Sequence, residues 1–266
     1  MSELDDVLAL AIRLAREAGR IQRERYETGV AVRTKRSPID LVTEVDHACE
    51  MLVVEGIAAA RPGDAILAEE GGGGDREGAP WRWVIDPLDG TTNYAHGYPR
   101  FCVSIGVERE DVRSVAAVYD PLLDELYTAV RGRGAWLGAR RLRVSETAAL
   151  GEALLATGFA YDVRKSEEDN LDHFAALVKR ARAVRRDGSA ALDLCYVAAG
   201  RFDGFWELKL HPWDVAAGLL IVEEAGGRAS DLRGGPVPRS GREVVASNGA
   251  LHEALVEALR APAGAA

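Results

Sequence analysis

The stretch WVIDPLDGTTNYAHG at residues 83–97 sets two carboxylates, Asp86 and Asp89, three positions apart, with Pro87 between them and Gly90-Thr91-Thr92 directly after. The apolar run WRWVI reads as a buried strand that delivers Asp86 at its end. Pro87 then fixes φ, so the chain turns and brings Asp89 back toward Asp86. Two carboxylates held that close repel unless a proton or cation lies between them. Oxygen-only ligation of this kind suits Mg²⁺, which keeps several waters and accepts a few carboxylates together with substrate phosphate. The Leu88 carbonyl, exposed in the same turn, is a further candidate ligand. Asp-Pro and Asp-Gly are also common turn dipeptides, so simple punctuation is the competing reading.

Gly90 to Asn93 reads as the first turn of a short helix, whose unpaired amides make an anion site; Thr91 serves equally well as a plain N-cap. Two more acids fit the same place. Glu69 ends the strand AILAE, and Asp214 stands near the start of the helix after His211-Pro212, where Pro212 takes the first helical position. A solvated strand end and a dipole-stabilised first turn account for them without chemistry.

The elements that must position these residues are legible in outline. Ser2 with Asp5 forms a capping box for a helix to about Tyr26, and Thr43 caps a second helix that runs to about Ala60 and stops at Pro62-Gly63. AILAEE and WRWVID are short buried strands whose acidic ends meet, joined by the glycine-rich, mobile loop GGGGDREGAP. From Phe101 to about Ser145 strand follows strand, as an antiparallel sheet requires. Beyond that, strands at ALLATG, FDGFWEL and EVVASN alternate with helices around 167–182, at SAALDLCYVAAG, at WDVAAGLLIVEEAGG and at the end of the chain. No polar linker separates the halves 1–145 and 146–266, so residues 1–266 are expected to share one core, with a frayed tail APAGAA.

Composition narrows the rest. The 266 residues are 47% hydrophobic and carry a formal charge of −9, with a pI near 5.2. Sequence-independent nucleic-acid binding needs the opposite balance, and a phosphate-bearing ligand needs help from metal ions here. No apolar run is long enough to span a bilayer, and the acidic start lacks the features of a secretory signal, which points to the cytoplasm. Cys49, Cys102 and Cys195 lie far apart and read as core residues. The five histidines lack ligand spacing; His47, His173 and His252 read as helix-surface residues.

Taken together, KRSPIDLVTEVD, AEE, DPLDGTTNY, GSAALDLCYVAAGRFDGFWE and HPWDVAAG, in this order, resemble the inositol monophosphatase family of Mg²⁺-dependent phosphatases over nearly the whole length. The resemblance implies a layered αβαβα sandwich, an α+β or α/β fold, and commonly a homodimer. It implies that Glu69, Asp86, Asp89, Asp214 and the Leu88 carbonyl hold the metals, and that Thr91 works with Glu69 on the attacking water. Gly90 and Thr91 amides then bind phosphate, Ser189, Ala190 and Glu207 face the polyol, Asp214 also meets substrate, and Lys35 and Asp46 stand at the edge of the site. Lithium inhibition belongs to the same expectation. Thr92 stands where relatives acting on nucleotide phosphates tend to carry lysine, so DGTTNY is similar to the inositol type. The segment YDVRKSEEDN and the pair Arg185-Arg186 match no fixed family pattern, which keeps other sugar phosphates, fructose 1,6-bisphosphate among them, in view. A catalytically silent regulatory partner on the same fold is the alternative of a different class.

Overall fold

The computed structural model describes residues 2–74, 76 and 78–260, so the expected frayed tail and part of the glycine-rich segment lie outside the described residues. Helix α1 spans Glu3–Arg25, and the Ser2–Asp5 capping box closes its start. Strands β1 (Val32–Thr34) and β2 (Leu41–Thr43) form a small hairpin leading into α2 (Glu44–Ala60). Thr43 caps α2, and Asp46 returns the bond to the Thr43 amide at 2.8 Å. Next come β3 (Ala65–Ala68), β4 (Gly73–Gly74), β5 (Trp81–Asp89) and the short helix α3 (Thr91–Ala95). The antiparallel run is β6 (Cys102–Arg109), β7 (Val112–Asp120), β8 (Glu125–Val130), β9 (Gly134–Leu137) and β10 (Arg140–Arg141). The remainder is β11 (Leu154–Thr157), α4 (Leu171–Val178), β12 (Ala183–Arg185), α5 (Ala190–Ala198), β13 (Gly204–Leu208), α6 (Pro212–Glu224), β14 (Arg228–Ser230), β15 (Glu243–Ser247) and α7 (His252–Arg260).

Five layers result. An eight-stranded sheet ordered β10-β9-β8-β7-β6-β5-β3-β4 and a five-stranded sheet ordered β12-β11-β13-β15-β14 carry the helices. Helices α1 and α2 cover the outer face of the larger sheet, α5 and α6 lie between the sheets, and α4 and α7 cover the smaller one. This is the expected αβαβα sandwich. Its central apolar cluster joins Val118 and Tyr127 of the large sheet to Leu194, Leu220, Phe205 and Val244, so both halves of the chain contribute to one core. No helix among the described residues is long and apolar enough to cross a membrane.

Several local expectations are corrected. Strand β5 does not end at Asp86 but continues through Asp89 with a bulge, pairing Asp86 with Ser104 and Asp89 with Cys102. The glycine run is partly structural: Gly73 and Gly74 pair with Leu67 and Ile66 at the sheet edge. Gly73 sits at φ 90°, and a Cβ there would meet the Ile66 side chain at 2.7 Å. Helix α4 is shorter than 167–182 because Asn170 pins the preceding loop, donating to Thr157 Oγ1 and the Gly158 carbonyl and accepting from Trp206 Nε1. His252 is fully buried, not a surface residue. Its two ring nitrogens meet Ser247 and Ser230 hydroxyls at 3.0 and 2.9 Å, and burial holds its pKa down at about 4.

The contact that positions α6 is Gly106 of β6, where a Cβ would lie 2.8 Å from the Ala216 methyl and 2.9 Å from the Ala217 nitrogen. Overpacking a close contact of this kind typically costs about 1–3 kcal/mol. Gly106→Val is therefore expected to lower unfolding free energy by about that amount, measured by denaturant titration, and to reduce activity as well, because the same helix carries Asp214. Unchanged stability would show that the helix is not seated on this glycine.

Candidate functional site

Because β3 and β5 run parallel with Ala68 opposite Ile85, their ends deliver Glu69 and Asp86 side by side, and the Glu69 amide bonds the Ile85 carbonyl at 3.2 Å. The bulge beyond Asp86 is held open by the Asp86 carboxylate, which accepts from the Leu88 amide at 3.0 Å, and by buried Gln22, which donates to the Pro87 carbonyl at 2.8 Å. One extra residue on the bulged strand turns Asp89 onto the central helical layer. There its Oδ2 accepts from Ser189 Oγ at 2.6 Å and the Ala191 amide at 2.8 Å. Asp214 arrives from the opposite side at the start of α6. It reciprocates the N-cap by accepting from the His211 amide at 2.7 Å, with Pro212 at the first helical position.

Gly90 stands at φ 101°, and a side chain there would strike the Arg100 carbonyl at 2.7 Å. This left-handed turn starts α3, and the amides of Gly90, Thr91 and Thr92 donate to no other group among the described residues. Thr91 is not a helix cap. Its hydroxyl donates to Asp46 at 2.8 Å, with the Leu88 carbonyl 3.1 Å away as second acceptor. Asp46 is completely buried; its other oxygen takes the Thr43 hydroxyl at 2.6 Å, so the cap of α2 and the site threonine share one carboxylate. The sequence placed Asp46 at the edge of the site; the structure places it directly behind Thr91.

Glu69, Asp86, Leu88, Asp89, Gly90, Thr91, Ala190, Glu207 and Asp214 line one cavity of about 1100 Å³, with Lys35 and Thr92. Ser189 does not line it; its hydroxyl is spent on Asp89. Lys35 Nζ bridges Glu69, at 2.9 Å, and Glu70. Glu70, read in the sequence only as a solvated strand end beside Glu69, is part-buried on Lys35, and Glu50, not singled out in the sequence, accepts the Glu70 and Gly72 amides at 2.7 Å each and so fixes the segment behind Glu69. Glu207 lies over Gly158, where any Cβ would fall 2.2 Å from its carboxylate. Lys209, its neighbour in sequence, is committed to Asp162 and Ser166 instead.

The electrostatics follow from crowding acids in a buried place. Burial first, then the charges of Glu69, Asp89 and Asp214, push Asp86 far above the usual carboxylate range. Burial raises Asp214 and Asp89 as well, and it lifts Glu207 to about 8. Among the described residues no three carboxylate, imidazole or thiol groups stand close enough to hold a metal ion as they are. The donors are hard carboxylate and carbonyl oxygens beside anion-accepting amides, a set whose chemistry fits Mg²⁺ and does not fit a softer metal.

Acids on adjoining strand ends, free amides at a helix start and a five-layered sandwich together define a phosphatase-type hydrolytic site. Residues 3–262 match the family described as the inositol monophosphatase family. The inositol-1-monophosphatase of Synechocystis sp. is 48% identical over 222 residues, 84% of this chain and 77% of that protein. The Pseudomonas aeruginosa protein named Nus factor SuhB is 46% identical over 97% of each chain. The structure of inositol monophosphatase from Anabaena (Nostoc) sp. PCC 7120 superposes with a TM-score of 0.90 at 40% identity, covering 99% of each chain. The chain belongs to the inositol monophosphatase family.

A carboxyl group whose pKa is raised on folding favours the native state most at low pH. That advantage fades as pH rises through the native value and the buried group must ionise. For Asp86, Asp89, Asp214 and Glu207 the sign is the same, so the metal-free protein is expected to lose thermal stability as pH rises above the ordinary carboxylate range and through the Glu207 value of about 8. Asp86→Asn should melt above the wild type at pH 8 in chelator, because it removes one of the repelling charges. A melting temperature below that of the wild type at pH 8 would mean that the acids are already relieved of their repulsion.

Proposed function

We propose that this chain is a Mg²⁺-dependent phosphatase that hydrolyses myo-inositol monophosphate to inositol and phosphate. The observation that carries the reading is the convergence of four acids on one cavity with the free amides of Gly90 and Thr91 and a threonine hydroxyl backed by Asp46. Glu69, Asp86, Asp89, Asp214 and the Leu88 carbonyl would hold Mg²⁺. Bound there, the ion would supply Lewis acidity toward the phosphoryl oxygens and lower the pKa of water.

The protein's own part is positioning and proton handling. The Gly90 and Thr91 amides take phosphate oxygens as a helix start takes any anion. With its proton directed to Asp46, Thr91 Oγ1 presents a lone pair to a water, and Glu69 accepts that water's second hydrogen. As the water oxygen bonds phosphorus and the ester P–O bond breaks, a water proton passes to Thr91 and the Thr91 proton to Asp46, whose pKa burial raises, while the departing inositol oxygen takes a proton from solvent. Ala190 and Glu207 orient the polyol, and Glu207 accepts from its hydroxyls. Ser189, expected to face the polyol, acts through Asp89 in this reading.

A broader sugar phosphatase that also takes fructose 1,6-bisphosphate is the nearest alternative within the enzymes. A regulatory role without catalysis draws its support from relatives that carry the name Nus factor SuhB, at 46% and 43% identity. We further take the chain as one functional unit over residues 1–266, forming a cytoplasmic homodimer. A phosphate-release screen over inositol and sugar phosphates, with and without Mg²⁺, decides among the readings. Turnover of inositol monophosphate that disappears on chelation and falls in high lithium is expected. Full turnover after exhaustive chelation contradicts the metal requirement, and silence on every substrate leaves the regulatory reading.

Thr91→Ala is expected to reduce kcat about a hundredfold or more with little change in KM, the usual scale for losing a proton-handling group. A change confined to KM would return Thr91 to a purely structural role.

A further inference from the structure

Helix α1 presses one apolar stripe against the large sheet and α2, formed by Val7, Ala11, Leu14, Ala15 and Ala18 at the spacing of a helix face. One turn further the same stripe ends on Gln22, which is fully buried. An amide in that position costs desolvation that an aliphatic side chain would not. The cost is only half offset, since Nε2 uses both of its hydrogens while Oε1 meets no donor among the described residues. A half-satisfied buried amide is a poor choice for stability alone, so its use lies in what Nε2 holds.

Nε2 donates to the Pro87 carbonyl at 2.8 Å and to the Cys102 carbonyl at 3.3 Å, spanning the two strands at the point where their register breaks. Asp86 pairs with Ser104 and Asp89 with Cys102, which leaves Pro87 and Leu88 without partners on β6. The amide can be seated only one way round, because turned over it would set Oε1 against two carbonyl oxygens. The peptide unit between Pro87 and Leu88 is thereby fixed at both ends, its carbonyl by Gln22 and its N–H by the Asp86 carboxylate at 3.0 Å. Asp86, the Leu88 carbonyl and Asp89, three of the candidate cation ligands, hang from this unit and its immediate neighbours. Gln22 is itself anchored, since its backbone carbonyl accepts from the hydroxyl of Tyr94, a residue of α3, at 2.8 Å. It does not line the cavity and reaches the ligands only through the backbone they share.

We infer that Gln22 is a positioning residue for the cation: by holding the Pro87–Leu88 peptide unit from behind, it sets the spacing of Asp86, the Leu88 carbonyl and Asp89, and with it the affinity of the site for Mg²⁺. This role rests on the phosphatase reading above and places one determinant of the metal site in the outer helical layer. Groups that orient metal ligands without touching the ion typically contribute about 10- to 100-fold in affinity.

The test is calorimetric titration of Mg²⁺ into chelator-stripped wild type, Gln22→Met and Leu14→Ala, with melting temperature and turnover measured on the same samples. Methionine keeps the length of the side chain and removes the donor. Leu14 lies on the same buried stripe but packs where α1 crosses Gly56 of α2, so its truncation loosens the helix without touching the bulge. Gln22→Met is expected to bind Mg²⁺ about tenfold or more weakly, with a matching rise in the Mg²⁺ concentration that gives half-maximal turnover. Leu14→Ala should bind Mg²⁺ as the wild type does in spite of a lower melting temperature. Gln22→Asn, which draws the amide back by one methylene, carries the same expectation and takes the place of the methionine variant if that one does not fold. Wild-type affinity in the Gln22 variants, or an equal loss in Leu14→Ala, overturns the inference. A wild type that binds Mg²⁺ without hydrolysing any phosphate ester overturns the phosphatase reading alone, and the affinities still decide the role of Gln22. A wild type that binds no Mg²⁺ overturns both.

Discussion

Carboxylate repulsion at the end of two parallel strands is the constraint around which this molecule is organised. Parallel pairing of β3 with β5 leaves no choice about where Glu69 and Asp86 go, and the bulge after Asp86 adds Asp89 to the same small volume. In water such acids would stay apart. Here they are brought together by backbone pairing and by apolar burial of Trp83, Val84 and Ile85, which contribute free energy that the acids oppose. Each acid is steadied by a donor: Leu88 for Asp86, Ser189 and Ala191 for Asp89, His211 for Asp214, Lys35 for Glu69. The neutral donors orient Asp86, Asp89 and Asp214 without supplying a counter-charge, and Lys35 alone sets a positive charge against Glu69.

The layered architecture has a direct consequence for precision. Asp214 comes from a helix pressed against β6 at Gly106, and Asp89 is gripped by the start of α5 in the same central layer. The distance between these acids is therefore set by helix-on-sheet packing, which deforms little, and not by loops. Asp46 extends the same logic outward. One buried carboxylate finishes the cap of α2 and holds the Thr91 hydroxyl, so the outer helical layer and the candidate proton path share an atom group. A change that loosens α2 would be felt at Thr91 without touching the cavity.

Much of this was legible in the sequence, and the reasons are specific. The capping pair Ser2–Asp5, the Thr43 cap, the strand leading to Glu69 and Pro212 before Asp214 are local signals that the structure reproduces. What escaped depends on distant contacts. Strands β1, β2, β12 and β14 have three residues each, too few for a hydrophobic period to register. The buried state of His252 requires Ser230 and Ser247, which lie 22 and 5 residues away. The bulge that replaces the expected turn at Pro87 is stabilised by Gln22, 65 residues earlier. The family resemblance put Ser189 at the polyol, but the carboxylate of Asp89, 100 residues before it, takes its hydroxyl.

Glu207 shows how far burial alone can shape a binding surface. It sits on β13 with Gly158 across from it, a position that tolerates no side chain, so the carboxylate is walled in on that side and faces the cavity on the other. Its neighbour Lys209 would neutralise it in an exposed strand end. Held at φ 59°, that lysine points to Asp162 and Ser166 and spends its charge on fastening the loop. The raised pKa of Glu207 follows: a buried acid whose nearest counter-charge, Arg186, lies at the cavity rim. A group in that condition gains most from a ligand that donates hydrogen bonds and least from one that offers only apolar surface, since the former replaces lost hydration and the latter does not. In the proposed reading this wall would favour hydroxyl-rich ligands and the α3 amides would take the phosphate, so that polyol and phosphate recognition would rest on two separate elements of the fold, β13 and the β5–α3 turn.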